Sequence, residues 1–172
     1  MIRKPLFVAA GVMAAGSLAA PALAAPNTPA GTITVTVPRL GVAEYHRPYM
    51  AGWVEPAGGG PARTLWVWYD IKKAGREPGT KWLADLRSWW RKGGRSLALP
   101  ADGLSGQTRA PGAYRIPLPA GLKPGAYTLF VEAARETGGR ELVQVPFSLP
   151  LRPAPSGASG HAELGQISVT LR

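Results

Sequence analysis

The chain has 172 residues, with 20 Lys plus Arg against 10 Asp plus Glu, 22 Gly, 18 Pro, six Trp and no Cys. That length suits one ordinary domain beyond a targeting segment, and 45% hydrophobic residues excludes wholesale disorder and a chain that is membrane-spanning throughout. Without Cys there is no disulfide framework, thiol nucleophile, Cys-ligated zinc or iron–sulfur cluster, and with only His46 and His161 a histidine-rich metal site is hard to build.

Residues 1–24 read as a secretory signal peptide: Arg3 and Lys4 precede an apolar run from Leu6 to about Ala20, and Ala22-Leu23-Ala24 gives an A-x-A pattern for cleavage near Ala24. The run is short and lacks a basic stop-transfer flank, so cleavage is expected rather than anchoring, with a mature product in the periplasm. A nucleic-acid role is not expected there, despite the charge. Without Arg3 and Lys4, 18 basic residues face 10 acidic ones, a net charge of +8. Much of the excess lies between Arg63 and Arg95, where nine Lys or Arg meet Asp70, Glu77 and Asp85. Such a face either solvates the protein or attracts an anionic envelope surface.

The mature chain reads as short strands punctuated by Gly and Pro, an all-β pattern. Gly31–Val37 alternates Ile33, Val35 and Val37 against three threonines. Strands over Tyr49–Glu55 and Thr64–Asp70 follow, joined by the loop Pro56-Ala57-Gly58-Gly59-Gly60-Pro61. The second carries Leu65, Val67 and Tyr69 opposite Trp66 and Trp68, so both its faces must be covered. One amphipathic α-helix is expected over about 81–92, with Thr80 as N-cap, Gly93-Gly94 as stop, and Trp82, Leu83, Leu86, Trp89 and Trp90 on one stripe. The stripe either packs the helix on the sheet beside Trp66 and Trp68 or forms a stacking surface, and its regularity favours packing.

Further strands are expected over Ala113–Leu118, Gly125–Ala133, Glu141–Leu149 and Glu163–Leu171, with Pro117, Pro146 and Pro150 marking edges or strand ends. Leu122-Lys123-Pro124-Gly125-Ala126-Tyr127 has the form of a tyrosine corner, which points to an immunoglobulin- or fibronectin-like β-sandwich over a single domain, 25–172. Residues 152–160 read as a Pro/Ser/Gly linker before the last strand.

Searches for catalytic signatures find no G-x-S-x-G elbow, zinc-protease helix, P-loop or Rossmann fingerprint. Glu44, Glu55 and Asp70 could act as acid or base, but nothing in the sequence pairs them. The cluster Tyr45-His46-Arg47-Pro48-Tyr49 stands out before a strand, as a ligand site or as a hydrogen-bonded loop.

That cluster, with Trp66-Val67-Trp68-Tyr69, the Lys81–Arg91 segment and Pro124–Leu129, resembles a family of predicted periplasmic bacterial proteins of unknown function. The resemblance implies a setting beside PepSY-type membrane proteins and periplasmic flavin transferases, hence extracytoplasmic electron transfer or metal acquisition. Asp102-Gly103-Leu104-Ser105-Gly106-Gln107-Thr108 resembles the transferases' attachment site Asp-x-x-Ser/Thr-Gly-Ala-Thr, whose last hydroxyl takes FMN in phosphoester linkage. Asp102, Ser105, Gly106 and Thr108 match, whereas Gln107 replaces Ala. Arg109 would then neutralise part of the phosphate. The alternative is an ordinary loop leading into the next strand.

Two roles follow. One is a periplasmic accessory carrying covalent FMN at Thr108. The other is a non-catalytic scaffold that docks a partner protein or anionic surface through a basic, Trp-rich face, with Trp82, Trp89 and Trp90 as contacts. A stand-alone enzyme is not expected.

Overall fold

A computed structural model describes residues 30–71 and 79–171. Residues 1–24, expected to be a signal peptide, and Lys72, Lys73, Arg76 and Glu77 lie outside the described residues.

Nine strands form two sheets: β1 (Gly31–Val37), β2 (Tyr49–Pro56), β3 (Arg63–Trp68), β4 (Ser105–Gly106), β5 (Gly112–Leu118), β6 (Gly125–Ala134), β7 (Arg140–Leu149), β8 (Ser156–Ser159) and β9 (Gln166–Thr170). One sheet has the order β5-β1-β9-β8, the other β4-β3-β2-β6-β7. Strict alternation creates the interface between them. Ile33, Val35 and Val37 of β1 meet Leu129 and Val131 of β6 and Val143 and Val145 of β7 in one buried core. The chain is therefore an all-β sandwich with a small helical insertion. Pro117 and Pro146 lie on β5 and β7, which are edge strands, where a missing amide donor costs no ladder bond. Tyr127 Oη donates to Lys123 O at 2.9 Å, closing the expected tyrosine corner.

The expected helix over 81–92 is corrected. Gly79–Asp85 is a 3₁₀ segment and α1 covers only Arg87–Arg91, with Leu86 (φ −76°, ψ 67°) between them. Thr80 caps neither. The buried residues Leu83, Leu86 and Trp89 recur every three residues, the 3₁₀ period, while Trp82 is 44% exposed. Glu132 supplies the physical cause of the break. This fully buried carboxylate, on the outer face of β6, accepts from the amides of Ser88 (3.1 and 3.0 Å) and Trp89 (2.8 Å), and it pairs with Arg140. The bonds start a new helix at that point.

The insertion covers Ala51, Trp53, Val67 and Tyr69, not Trp66 and Trp68, which face the sandwich interior. Trp89 is wholly buried there, and its indole donates to Thr64 Oγ1 at 3.0 Å. Lys92 reaches Glu55 at 2.8 Å and ties the end of the insertion to β2.

Two further expectations change. The segment read as a linker contains β8, which pairs with β9 from Ser156↔Val169 to Ser159↔Gln166. The last strand starts at Gln166 rather than Glu163, because residues 161–164 are held by side chains instead of a ladder. Glu141 accepts from the amides of His161, Ala162 and Leu164, and Glu163 grips Arg135 through two hydrogen bonds of 2.9 and 3.0 Å.

Candidate functional site

At one end of the sandwich, loops and strand ends enclose a cavity of about 510 Å³. The β1–β2 loop contributes Tyr45, His46 and Arg47, β2 opens with Tyr49, and Asp70 follows β3. The 3₁₀ segment adds Trp82 and Asp85, the β6–β7 turn adds Arg135, Glu136 and Thr137, and the segment after β4 adds Gln107 and Thr108. Two sets of candidates that are far apart in sequence, the Tyr-His-Arg-Pro-Tyr cluster and the end of the attachment-like motif, thus share one cavity.

Thr108 is 6% exposed, and its Oγ1 donates to Asp70 Oδ1 at 3.2 Å. The same oxygen accepts from Gln107 Nε2 at 3.0 Å, and Gln107 Oε1 accepts from the Ile71 amide at 3.1 Å. The residue that departs from the motif thereby latches the segment to the end of β3. Upstream, the segment is stitched to β3 in parallel register, with Val67 N donating to Leu104 O (2.8 Å) and Tyr69 N to Gly106 O (3.0 Å). Gly106 is required by this approach, since a Cβ there would lie 2.8 Å from Trp68 Cδ1. Ser105 Oγ accepts from the Ala101 amide at 2.9 Å, and Asp102 is exposed. The segment that carries Thr108 is a pinned edge of the sheet.

Arg109 does not line the cavity of Thr108. Its guanidinium lies 5.2 Å from the Trp68 ring and 5.6 Å from Tyr114, in a separate groove with Ser105 and Gly106. Arg47 is exposed on the cavity wall with no carboxylate partner among the described residues. Arg135 is 7% exposed and neutralised by Glu163. Trp82 stays with the cavity, under Lys81 Nζ at 5.3 Å, whereas Trp89 and the half-buried Trp90 belong to the core beneath the insertion.

The polar groups are tuned by burial. Burial, with the Asp70 charge behind it, pushes the Tyr49 phenol up to about 12. Burial also raises Tyr45, against the opposing pull of Arg135. The Tyr45 hydroxyl is buried with no hydrogen-bond partner among the described residues. His46 Nε2 is 2.9 Å from Glu44 Oε1, and its Nδ1 lies 3.9 Å from Glu136. No group of three or more His, Asp or Glu among the described residues is arranged to hold a metal ion.

Sequence reasoning named Asp70 as a possible acid or base without finding its partner, and it missed the β6–β7 turn. Asp70 lies 38 residues before Thr108, and only the β3–β4 pairing joins them.

Among the described residues no helix is long and apolar enough to cross a membrane. No curated protein and no solved structure matches the chain. Residues 30–166, nearly the whole sandwich, match a family model described as predicted periplasmic protein (DUF2271), and the chain belongs to that family of periplasmic proteins of unknown function.

Proposed function

We propose that this periplasmic protein carries FMN joined by a phosphoester to Thr108 Oγ1 and assists extracytoplasmic electron transfer or metal acquisition. The observation that carries the reading is that the hydroxyl marked by the motif lines the aromatic cavity described above. Its volume of about 510 Å³ is within the range of small-molecule sites, roughly 300–1,000 Å³. Tyr45, Tyr49 and Trp82 offer aromatic rings, and Arg47 offers a cation for phosphate. Bound flavin would supply the redox chemistry that the side chains lack.

Asp70 is placed to accept the proton that Thr108 loses when its oxygen bonds to phosphorus. In that exchange one phosphoanhydride bond of the flavin dinucleotide donor breaks and a nucleotide leaves. Thr108 is buried, so the 101–109 segment must lift from β3, or be modified before it closes. A periplasmic flavin transferase and a PepSY-type membrane protein are the partners this reading requires. Co-export with a flavin transferase tests it: the wild-type band should fluoresce as flavin in a denaturing gel, Thr108→Ala should be dark, and Ser105→Ala should keep its signal. A dark wild-type band beside a fluorescent control protein would contradict it.

A second reading rests on the insertion. Arg87, Arg91 and Arg95 are exposed and have no carboxylate partner among the described residues, so this face suits docking on a partner protein or anionic envelope surface. With Trp89 buried, that face is basic rather than Trp-rich.

A further inference from the structure

A second concavity, of about 600 Å³, lies between the two sheets where their edges meet, β5 on one side and β3 with β4 on the other. Arg63, Arg109 and Arg115 are among the residues that line it, Arg115 through its place on the β5 edge, and the lining holds no acidic residue. All three residues are exposed, and none has a carboxylate partner among the described residues. The contrast with Arg135 and Arg140, each paired with a buried glutamate, is clear. Arg109 is held against the Trp68 and Tyr114 rings, an arrangement that fixes the guanidinium plane and leaves its N–H edges available. Trp66 also lines the groove, is 3% exposed, and has an indole N–H with no acceptor among the described residues. Ile116 and Pro117 complete an apolar floor.

We infer that this groove binds an organic phosphate, an ester whose phosphate engages the arginines and whose apolar body rests on the tryptophan-lined floor. Arginines without a counter-ion favour a multiply charged phosphate over a single carboxylate, and guanidinium groups offer it paired donors. A bare inorganic ion would leave the apolar floor uncovered. The inference stands apart from the flavin reading, because Thr108 lines the other cavity.

The test uses the mature exported protein carrying Thr108→Ala, so that flavin attachment plays no part. Tryptophan fluorescence is titrated with phenyl phosphate, inorganic phosphate and phenol at low and high salt. Phenyl phosphate should bind at least about tenfold more tightly than either fragment, and its affinity should fall with added salt. Arg63→Gln and Arg109→Gln should each weaken it about tenfold, with unchanged near-ultraviolet circular dichroism showing an intact fold. Phosphatidylglycerol vesicles, sedimented in parallel, distinguish the sources: vesicle binding displaced by phenyl phosphate assigns the groove to a lipid headgroup, and binding of the soluble ester alone assigns it to a free one. Equal affinity for the ester and its fragments, or wild-type affinity in both arginine variants, would overturn the inference.

Discussion

Gln107 holds Asp70: its Nε2 donates to Asp70 Oδ1 at 3.0 Å while its Oε1 accepts from the Ile71 amide at 3.1 Å, so one side chain closes the 101–109 segment on the end of β3. Alanine, the residue the attachment pattern has at this place, makes neither bond. Gln107→Ala should therefore lower stability by about 1 kcal/mol and raise the hydrogen-exchange rate of the Ile71 amide. If attachment needs the segment to open, the same variant should take up flavin several-fold faster in a co-export time course. Slower uptake would show instead that Gln107 helps present Thr108.

Glu132 both starts α1 and holds Arg140, and it does so from a fully buried position. Glu132→Ala removes the acceptor for two helix amides, and the expected loss is about 3 kcal/mol, read from urea unfolding. Near-ultraviolet circular dichroism should change with it, because Trp89 is wholly buried beside that carboxylate. Glu132→Gln, which keeps an acceptor oxygen, should lose less.

The tyrosine corner gives a narrower case. Tyr127→Phe deletes only the hydroxyl that donates to Lys123 O, so the loss should be about 1 kcal/mol with the fold unchanged. Tyr114 makes a bond of the same form, its hydroxyl donating to Ala110 O at 2.7 Å, and Tyr114→Phe should cost a similar amount. No effect from either variant would show that water replaces these bonds without loss.

Acid should loosen the loop before β9. Burial pushes the Glu141 carboxyl up, but amide donors from His161, Leu164 and Ala162 outweigh it and hold the group below its ordinary value of 4.5. Burial likewise opposes Lys92 and Trp53 at Glu55, which also ends below 4.5. Both folded values are depressed, so the stability these groups contribute is present above about pH 4.5 and is lost as pH falls through the lower folded values. Melting temperature should drop steeply in that window, and Glu141→Gln should flatten the drop.

The strands were legible because alternation is a local signal: Ile33, Val35 and Val37 specify a buried face whatever β1 pairs with. The insertion was not, because its boundaries depend on Glu132, which lies 43 residues beyond Trp89. The spacing of Leu83, Leu86 and Trp89 at three residues was the visible trace of the 3₁₀ turn, but Trp82 and Trp90 completed an α-helical stripe that concealed it. β8 was hidden for a different reason, since Ser-Gly-Ala-Ser has the composition of a linker and forms an edge strand only because β9 offers it a ladder. At the site, the Tyr45–Tyr49 cluster and Thr108 could each be picked out, yet their meeting in one cavity follows from sheet order. Arg109 lines the other groove for the same reason, because a single step along the segment turns it away from Thr108.

The central claim is covalent FMN at Thr108, and intact-protein mass spectrometry with peptide mapping tests it most directly. The mature chain is exported with a flavin transferase and compared with Thr108→Ala. We predict an added mass of about 438 Da, one FMN less one water, on the peptide containing Thr108 and absent from the variant. An unmodified chain beside a fully flavinylated control, or the same mass located on Ser105, would contradict the account.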